Sequence, residues 1–366
     1  MKVLVTGAQG FIGKHMVVHL SREGHEIFQY DINSTEEELV KYVKECDFIV
    51  HLAGVNRPLT VEEFYSGNTN FTKHLVDVIK ENNKIVPIIM SSSVKASEDS
   101  DYGKSKLMAE SFLLSSGLPV YVYRLNNVFG KWGRPNYNSA SATFCYNIAH
   151  DLPISIRDRN FMVLYNYIDD ICDEFIRVIN SEFHLGSEKI LYVSPTYECS
   201  LGRLADTLYY FKKEIESERH LPEIHNEFEL KLFKTFCDYL SDEGMSFNFA
   251  KDNRGYFEEV YKSKKWGQIS DNVSFPGICK GGHYHTYKKE IFYTIIGTCL
   301  IKQFNPETKE EIVDEVGENN NRQVKINVGY VHEITNIGDK DSHTIMWISE
   351  IYNPNTHDTY RLEENK

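Results

Sequence analysis

Residues 2–13 read KVLVTGAQGFIG, and they decide the fold of everything up to about residue 180. A short apolar, β-rich run meets glycines at 7, 10 and 13, and an amphipathic run, KHMVVHLSRE (14–23), follows. A strand that passes through such a turn into a helix lets backbone N–H groups and the positive helix N-terminus meet a pyrophosphate. The next β-rich run, EIFQY (26–30), is closed by Asp31, where a carboxylate can bind a ribose 2′-hydroxyl. A carboxylate there repels a 2′-phosphate, so the residue by itself favours NADH.

Working outward, DFIVHLA (47–53), IVPIIMSS (85–92) and VYVYRL (120–125) read as further strands. STEEELVKYVKE (34–45), NFTKHLVDVIKEN (70–82) and SKLMAESFLLSS (105–116) lie between them and read as helices. Alternation of this kind predicts an α/β fold, a Rossmann-type doubly wound parallel sheet covered on both faces. Residues 200–240 read as helical and are expected to cap the sheet's ligand edge. The first domain is therefore expected to span 1–245, with about 180–245 as its helical, substrate-side part. SDEGMSFNFAKDNRG (241–255) reads as a linker, and short strands with Gly, Asn and Pro turns follow. A small all-β domain over 246–366 is the expectation.

Composition agrees with two domains, because 366 residues exceed a comfortable single core. A net charge of −13 argues against nonspecific nucleic-acid binding and against an anionic membrane surface. The seven cysteines are scattered and never form C-x-x-C, which argues against a disulfide framework or a thiolate zinc site. With no apolar run of membrane-spanning length and a strand at the start instead of a signal peptide, a cytoplasmic protein is expected.

Two constellations carry chemistry. In the first, SSS (91–93) ends a strand and DYGKSK (101–106) starts a helix, so Tyr102 and Lys106, four apart, share one helical face. A phenol beside a lysine ammonium has a lowered pKa and can donate a proton to a ketone receiving hydride, while a serine hydroxyl holds the oxygen. In the second, His283 and His285 lie two apart and face the same way on a strand; Glu290 follows, and His332 lies farther on. Three imidazoles and a carboxylate suit Zn or another divalent transition metal.

TGAQGFIG, HLAG (51–54), Ser93, the Y-x-x-x-K of Tyr102 and Lys106, and RLNNVFG (124–130) resemble the extended short-chain dehydrogenase/reductase family, especially its sugar-nucleotide members. The resemblance implies that Ser93, Tyr102 and Lys106 are catalytic. It places Gly7, Gly10, Phe11, Ile12, Gly13, Asp31, Leu52, Ala53, Tyr102 and Lys106 around the cofactor, and Asn127 at the nucleotide sugar. Ser93 and Tyr102 are unusually close in sequence, which keeps Ser92 as an alternative catalytic serine. Arg57 is a candidate substrate-binding residue, and Arg124, Lys131 and Arg134 are further candidates for holding phosphates.

H-x-H-x4-E-x6-G, then G-x2-H-x3-N, resembles the two metal motifs of the cupin family, whose fold is a small jelly roll. Just upstream, Asp252, Arg254, Gly255, Phe257 and Glu259 (Glu258 if the loop is one shorter) are similar to an element of the dTDP-sugar 3,5-epimerases. Lys280 and His285 stand where those enzymes carry Arg and Gln, and His283 where they carry a catalytic histidine. A histidine that ligates a metal cannot also be the free base, so Tyr287, Tyr330 and His343 are candidate proton carriers.

A 4-keto sugar unites the two constellations, because the ketone acidifies the neighbouring C–H for epimerisation and is itself the group a reductase reduces. The domain order resembles that of bifunctional capsular-polysaccharide enzymes over essentially the whole chain. That implies a UDP-2-acetamido-2,6-dideoxy-4-hexulose as substrate, epimerised and reduced to UDP-N-acetyl-6-deoxy-L-talose on the route to UDP-N-acetyl-L-fucosamine. It also implies NADPH, in conflict with Asp31, together with Zn and a homodimer. The competing readings are a reductase whose metal cupin is a structural or dimerising module, an NAD(P)-sensing regulator, and a metal-dependent oxygenase.

Overall fold

The computed structural model describes residues 1–180, 190–240, 248–353 and 355–362. The chain forms two compact units, Met1–Tyr209 with Asn226–Ser241, and Tyr210–His225 with Asp242–Lys366.

In the first unit, β1 (Lys2–Thr6), β2 (Glu26–Tyr30), β3 (Phe48–His51), β4 (Ile88–Ser93), β5 (Val120–Leu125) and β8 (Ile190–Leu191) form one parallel sheet in the order β2-β1-β3-β4-β5-β8. Val3, Leu4 and Val5 of β1 and all four residues of β3 are buried, as expected where helices cover both faces. Pro87 and Pro119 lack an N–H and sit just outside β4 and β5, where their carbonyls accept from Ile49 (2.9 Å) and Ile88 (2.9 Å). Helices α1 (Phe11–Arg22), α2 (Glu36–Glu45), α3 (Val61–Phe64), α4 (Phe71–Glu81) and α5 (Asp101–Leu114) lie between the strands in sequence. One apolar core joins Leu39 and Val43 of α2, Leu75 and Ile79 of α4, and Leu113 of α5 to Leu4, Ile49, Ile88 and Val122 of the sheet. A small second sheet pairs β6 (Asn127–Phe129) with β7 (Met162–Tyr167) in parallel, and β7 with β9 (Tyr197–Ser200) antiparallel. No helix among the described residues is long and apolar enough to cross a membrane.

The second unit is antiparallel throughout. One sheet runs β10 (Phe249–Asp252), β11 (Gly255–Ser263), β12 (Gly267–Ser274), β19 (Ser342–Ile348), β14 (Glu290–Ile296), β17 (Val324–Ile326). The other runs β13 (Cys279–His283), β18 (Val331–Asn336), β15 (Thr298–Phe304), β16 (Glu311–Gly317). Phe292, Val324, Ile326 and Met346 from the first sheet meet Cys299, Ile301, Val316 and Ile334 from the second in one core. The inward positions alternate with outward ones along each strand.

The expected boundary at 245 differs from the division observed. Residues 210–225 belong with the β unit, because their polar groups find their partners there. The buried Glu214 carboxylate pairs with Lys264 (2.8 Å), Leu221 N–H donates to the Lys262 carbonyl (2.9 Å), and Arg219 donates to Asn248 (2.8 Å).

Candidate active sites

At the glycine-rich turn, Gly7 adopts φ +71°, and a Cβ there would lie 2.7 Å from the Ala53 nitrogen. A Cβ on Gly13 would lie 2.1 Å from the Gly7 carbonyl oxygen, so both positions are closed to any side chain. Leu52 is held beside the turn by its N–H bond to Thr6 O (3.0 Å). Helix α1 is preceded by Gly10, which offers no side-chain cap, and its first turn holds no acidic residue. The N–H groups of Phe11, Ile12 and Gly13 are therefore the donors that a helix N-terminus offers to an anion. Asp31 follows β2 directly, and its carboxylate accepts from Gln9 N–H (2.7 Å) and Ile32 N–H (2.8 Å).

Ser92 and Ser93, adjacent at the end of β4, take different partners on α5. The buried Ser92 hydroxyl donates to Glu110 Oε1 (2.5 Å), and the Glu110 carboxylate also accepts from Arg124 Nε (3.0 Å) and Nη2 (2.7 Å). Ser93 instead hydrogen-bonds Tyr102, and its hydroxyl accepts from Lys95 N–H (3.2 Å). Ser100 caps α5 by accepting from Gly103 N–H (3.1 Å), which fixes the helical turn carrying Tyr102. Lys106 is buried and donates to the Ser91 carbonyl (3.1 Å). Burial pulls the Lys106 ammonium down to about 8, against the opposing charge of Glu110. Burial pushes the Tyr102 phenol up, and the Ser93 hydrogen bond only partly offsets it. This corrects the expected lowering: desolvation dominates, and the phenol keeps its proton at neutral pH.

The candidate cations have different surroundings. Arg124 is taken up by Glu110, and Lys131 pairs with Asp169 (3.2 Å). Arg57 and Arg134 both lie over the Tyr137 ring, at 5.6 and 4.8 Å from its centroid, and neither has an acidic partner among the described residues. Asn127 opens β6, and its side chain is tied to the Leu164 carbonyl (3.3 Å).

In the β unit, one ligand atom each of His283, His285, Glu290 and His332 lies within 4.8 Å of all the others. The register explains the convergence, since His283 ends β13 opposite His332 on β18, and Glu290 opens β14 on the facing sheet. His332 Nε2 and His285 Nε2 lie 3.0 and 3.3 Å from Glu290 Oε2, and all three atoms are buried without a hydrogen-bond partner. Buried orphan atoms of this kind are costly unless a cation satisfies them, so the set fits a divalent metal. Burial, helped by the neighbouring His332 and His285, pulls the His283 imidazole down to about 4, which keeps it neutral and able to ligate. Burial pushes the Glu290 carboxyl up, but the His285 and His332 imidazoles crowded against it outweigh that and hold it well below the usual range.

Asp358, not singled out by the sequence, organises this cluster. Its carbonyl faces His285 Nδ1, which sets the ring so that Nε2 points at Glu290. Its carboxylate accepts from Thr286 N–H (3.0 Å), Thr286 Oγ1 (2.6 Å), Tyr287 N–H (2.9 Å) and Lys288 N–H (2.9 Å).

The upstream element is also ordered. Arg254 closes on Asp252 (2.7 Å), Phe257 packs against the core, and Glu259 pairs with Lys262 (3.2 Å). Lys280 donates to the Val273 carbonyl (2.7 Å). His343 is not brought to the metal cluster. It pairs with Asp271 (2.8 Å) and opposes Ile296, at the other end of β14 from Glu290, on a strand whose buried positions are Ser342, Thr344 and Met346. The Tyr330 hydroxyl donates to Glu310 (2.6 Å), and Tyr287 is half-exposed.

Residues 3–192 match the NAD dependent epimerase/dehydratase family, and residues 250–360 match a polysaccharide biosynthesis C-terminal domain. The chain is 38% identical to a UDP-2-acetamido-2,6-beta-L-arabino-hexul-4-ose reductase of Pseudomonas aeruginosa, over 98% of both chains. It is 40% identical to the capsular polysaccharide assembling protein CapF of Staphylococcus aureus, covering 99% of this chain and 100% of that one, with a TM-score of 0.88. A UDP-glucuronic acid 4-epimerase of Bacillus cereus shares the fold of the first unit's class, at 19% identity over 65% of this chain and a TM-score of 0.55. With its glycine-rich turn, its Ser-Tyr-Lys set and a full-length match to these relatives, the chain belongs to the NAD dependent epimerase/dehydratase family and is a close homologue of the CapF proteins.

Proposed function

We propose that the chain is a bifunctional sugar-nucleotide enzyme of capsular polysaccharide synthesis. The metal-binding cupin epimerises a UDP-2-acetamido-2,6-dideoxy-4-hexulose at C3. The first unit then reduces the C4 ketone, giving UDP-N-acetyl-6-deoxy-L-talose on the route to UDP-N-acetyl-L-fucosamine. The observation that carries this reading is one chain holding both a half-buried Tyr102, hydrogen-bonded to Ser93 in the unit that carries the glycine-rich turn, and a three-imidazole, one-carboxylate cluster in which all but His283 are buried. The enzyme works as a cytoplasmic homodimer, as its resemblance to the capsular enzymes implies.

A bound nicotinamide nucleotide supplies the hydride. Tyr102 Oη donates its proton to the C4 oxygen, Ser93 Oγ holds that oxygen, and the Lys106 ammonium stabilises negative charge left on the phenol. Arg57 and Arg134, flanking Tyr137 without carboxylate partners among the described residues, hold the diphosphate, and Asn127 contacts the sugar. His283, His285, Glu290 and His332 would hold Zn, which would supply Lewis-acid polarisation of the ketone and so make the C3 hydrogen more acidic. The resemblance to capsular enzymes implies NADPH, whereas Asp31 speaks for NADH.

The two serines separate by experiment. Ser93→Ala should slow reduction about a hundredfold or more, as loss of an oxyanion donor does elsewhere, with little change in stability. Ser92→Ala should leave turnover near wild type and cost about 1–2 kcal/mol in urea unfolding, because Glu110 loses a buried donor. The reverse pattern would make Ser92 the catalytic serine. The pH profile follows from Lys106, whose ammonium is present below about 8 and lost above it. Reduction at saturating substrate should be flat below about pH 8 and decline above it, and a rise above pH 8 would contradict the role given to the ammonium.

A second reading keeps the reductase and makes the metal a staple. The Asp358 contacts favour it, since they tie the C-terminal segment to the cluster.

A further inference from the structure

The reductase reading leaves open which nicotinamide nucleotide the chain takes, and the end of β2 answers it. We infer that Asp31 makes this chain an NADH enzyme that excludes the 2′-phosphate of NADPH. The inference rests on the first unit being the nucleotide-binding reductase. It does not depend on the metal site.

Three observations converge. The Asp31 carboxylate is fixed by Gln9 N–H (2.7 Å) and Ile32 N–H (2.8 Å), and Gln9 belongs to the glycine-rich turn itself. Its backbone is fixed as well, with Asp31 N–H donating to Ser34 Oγ (3.1 Å) and Asp31 O accepting from Ser34 N–H (2.8 Å). The charge therefore cannot swing aside to admit a phosphate. A carboxylate held at this point accepts a hydrogen bond from a ribose 2′-hydroxyl and repels a 2′-phosphate dianion.

The neighbouring helix end gives a phosphate no alternative seat. The N-terminus of α2 is closed by its own capping box, Glu38 N–H to Thr35 Oγ1 (3.3 Å) and Thr35 N–H to Glu38 Oε2 (2.8 Å). Its first turn carries Glu36, Glu37 and Glu38, which add negative charge where a phosphate would need positive. The cationic partners required are missing too. No Lys or Arg among the described residues pairs with Asp31, and the segment from Asp31 to Thr35 contains none. A 2′-phosphate site is ordinarily built around an arginine.

The test is equilibrium binding of NADH and of NADPH to the full chain by calorimetry, with no sugar present. NADH is expected to bind at least about tenfold more tightly, the ratio set by one charge-assisted hydrogen bond gained against a repulsion. Asp31→Asn keeps an acceptor for one of the two N–H groups and removes the charge, and should bring the two affinities within about threefold of each other. Asp31→Ala should do the same, mainly by weakening NADH. Equal affinities in the wild type, or tighter NADPH, would overturn the inference while leaving the reductase reading intact. Binding of neither nucleotide would overturn both.

Discussion

Tyr102→Phe should slow reduction of the 4-keto group by about 10²–10⁴-fold, the usual contribution of a positioned general acid, while leaving hydrogen exchange beside the ketone unchanged. The expectation rests on burial. The phenol is pushed above its ordinary pKa by desolvation and hydrogen-bonded to Ser93, so it is protonated and aimed before any substrate arrives. Phe keeps the packing against Phe64, whose ring lies 5.6 Å away, so the fold should survive. Turnover followed by nucleotide absorbance, beside exchange followed by NMR, separates the two activities. Loss of both together would mean that Tyr102 supports the structure and is not the donor.

The second large effect belongs to the metal cluster. His283→Ala should weaken metal binding by more than the roughly 10–100-fold that loss of a supporting residue costs, and exchange at C3 should disappear with the metal. Asp358→Ala leaves all four ligands in place and removes the carboxylate that gathers the 286–288 backbone, so it should fall within that roughly 10–100-fold range. Metal content after dialysis gives the first readout and deuterium uptake the second. Reduction of a substrate already in the product's C3 configuration should persist in both variants. Exchange that survives complete metal loss would contradict a catalytic metal.

The sequence was legible wherever the signal is local. The glycine turn, Tyr102 with Lys106, and the H-x-H pair depend on spacings of a few residues, although β13 ends at His283 and the expected shared strand does not reach His285. Contacts made through the fold were not legible. Asp358 reaches His285 and Thr286 across some seventy intervening residues and largely through main-chain groups, so no motif marks it. Spacing could not choose between Ser92 and Ser93, since it does not reveal that Glu110 takes up the Ser92 hydroxyl while Ser93 reaches Tyr102. Arg124 read as a phosphate ligand because its partner Glu110 lies on a different element. The direction of the Tyr102 shift was misread because burial, absent from spacing, outweighs a neighbouring charge. Residues 210–225 read as part of the first domain because helical periodicity does not reveal that Glu214 pairs with Lys264.

The most direct test of a two-step enzyme is one reaction in D2O. The chain, its metal, a UDP-2-acetamido-2,6-dideoxy-4-hexulose and reduced nicotinamide nucleotide are mixed, and the product is read by NMR and mass. The account predicts a product reduced at C4, inverted at C3 and carrying one deuterium at C3. A reduced product with hydrogen at C3 and no inversion would contradict it, and would leave the metal cluster a structural staple beside a simple reductase.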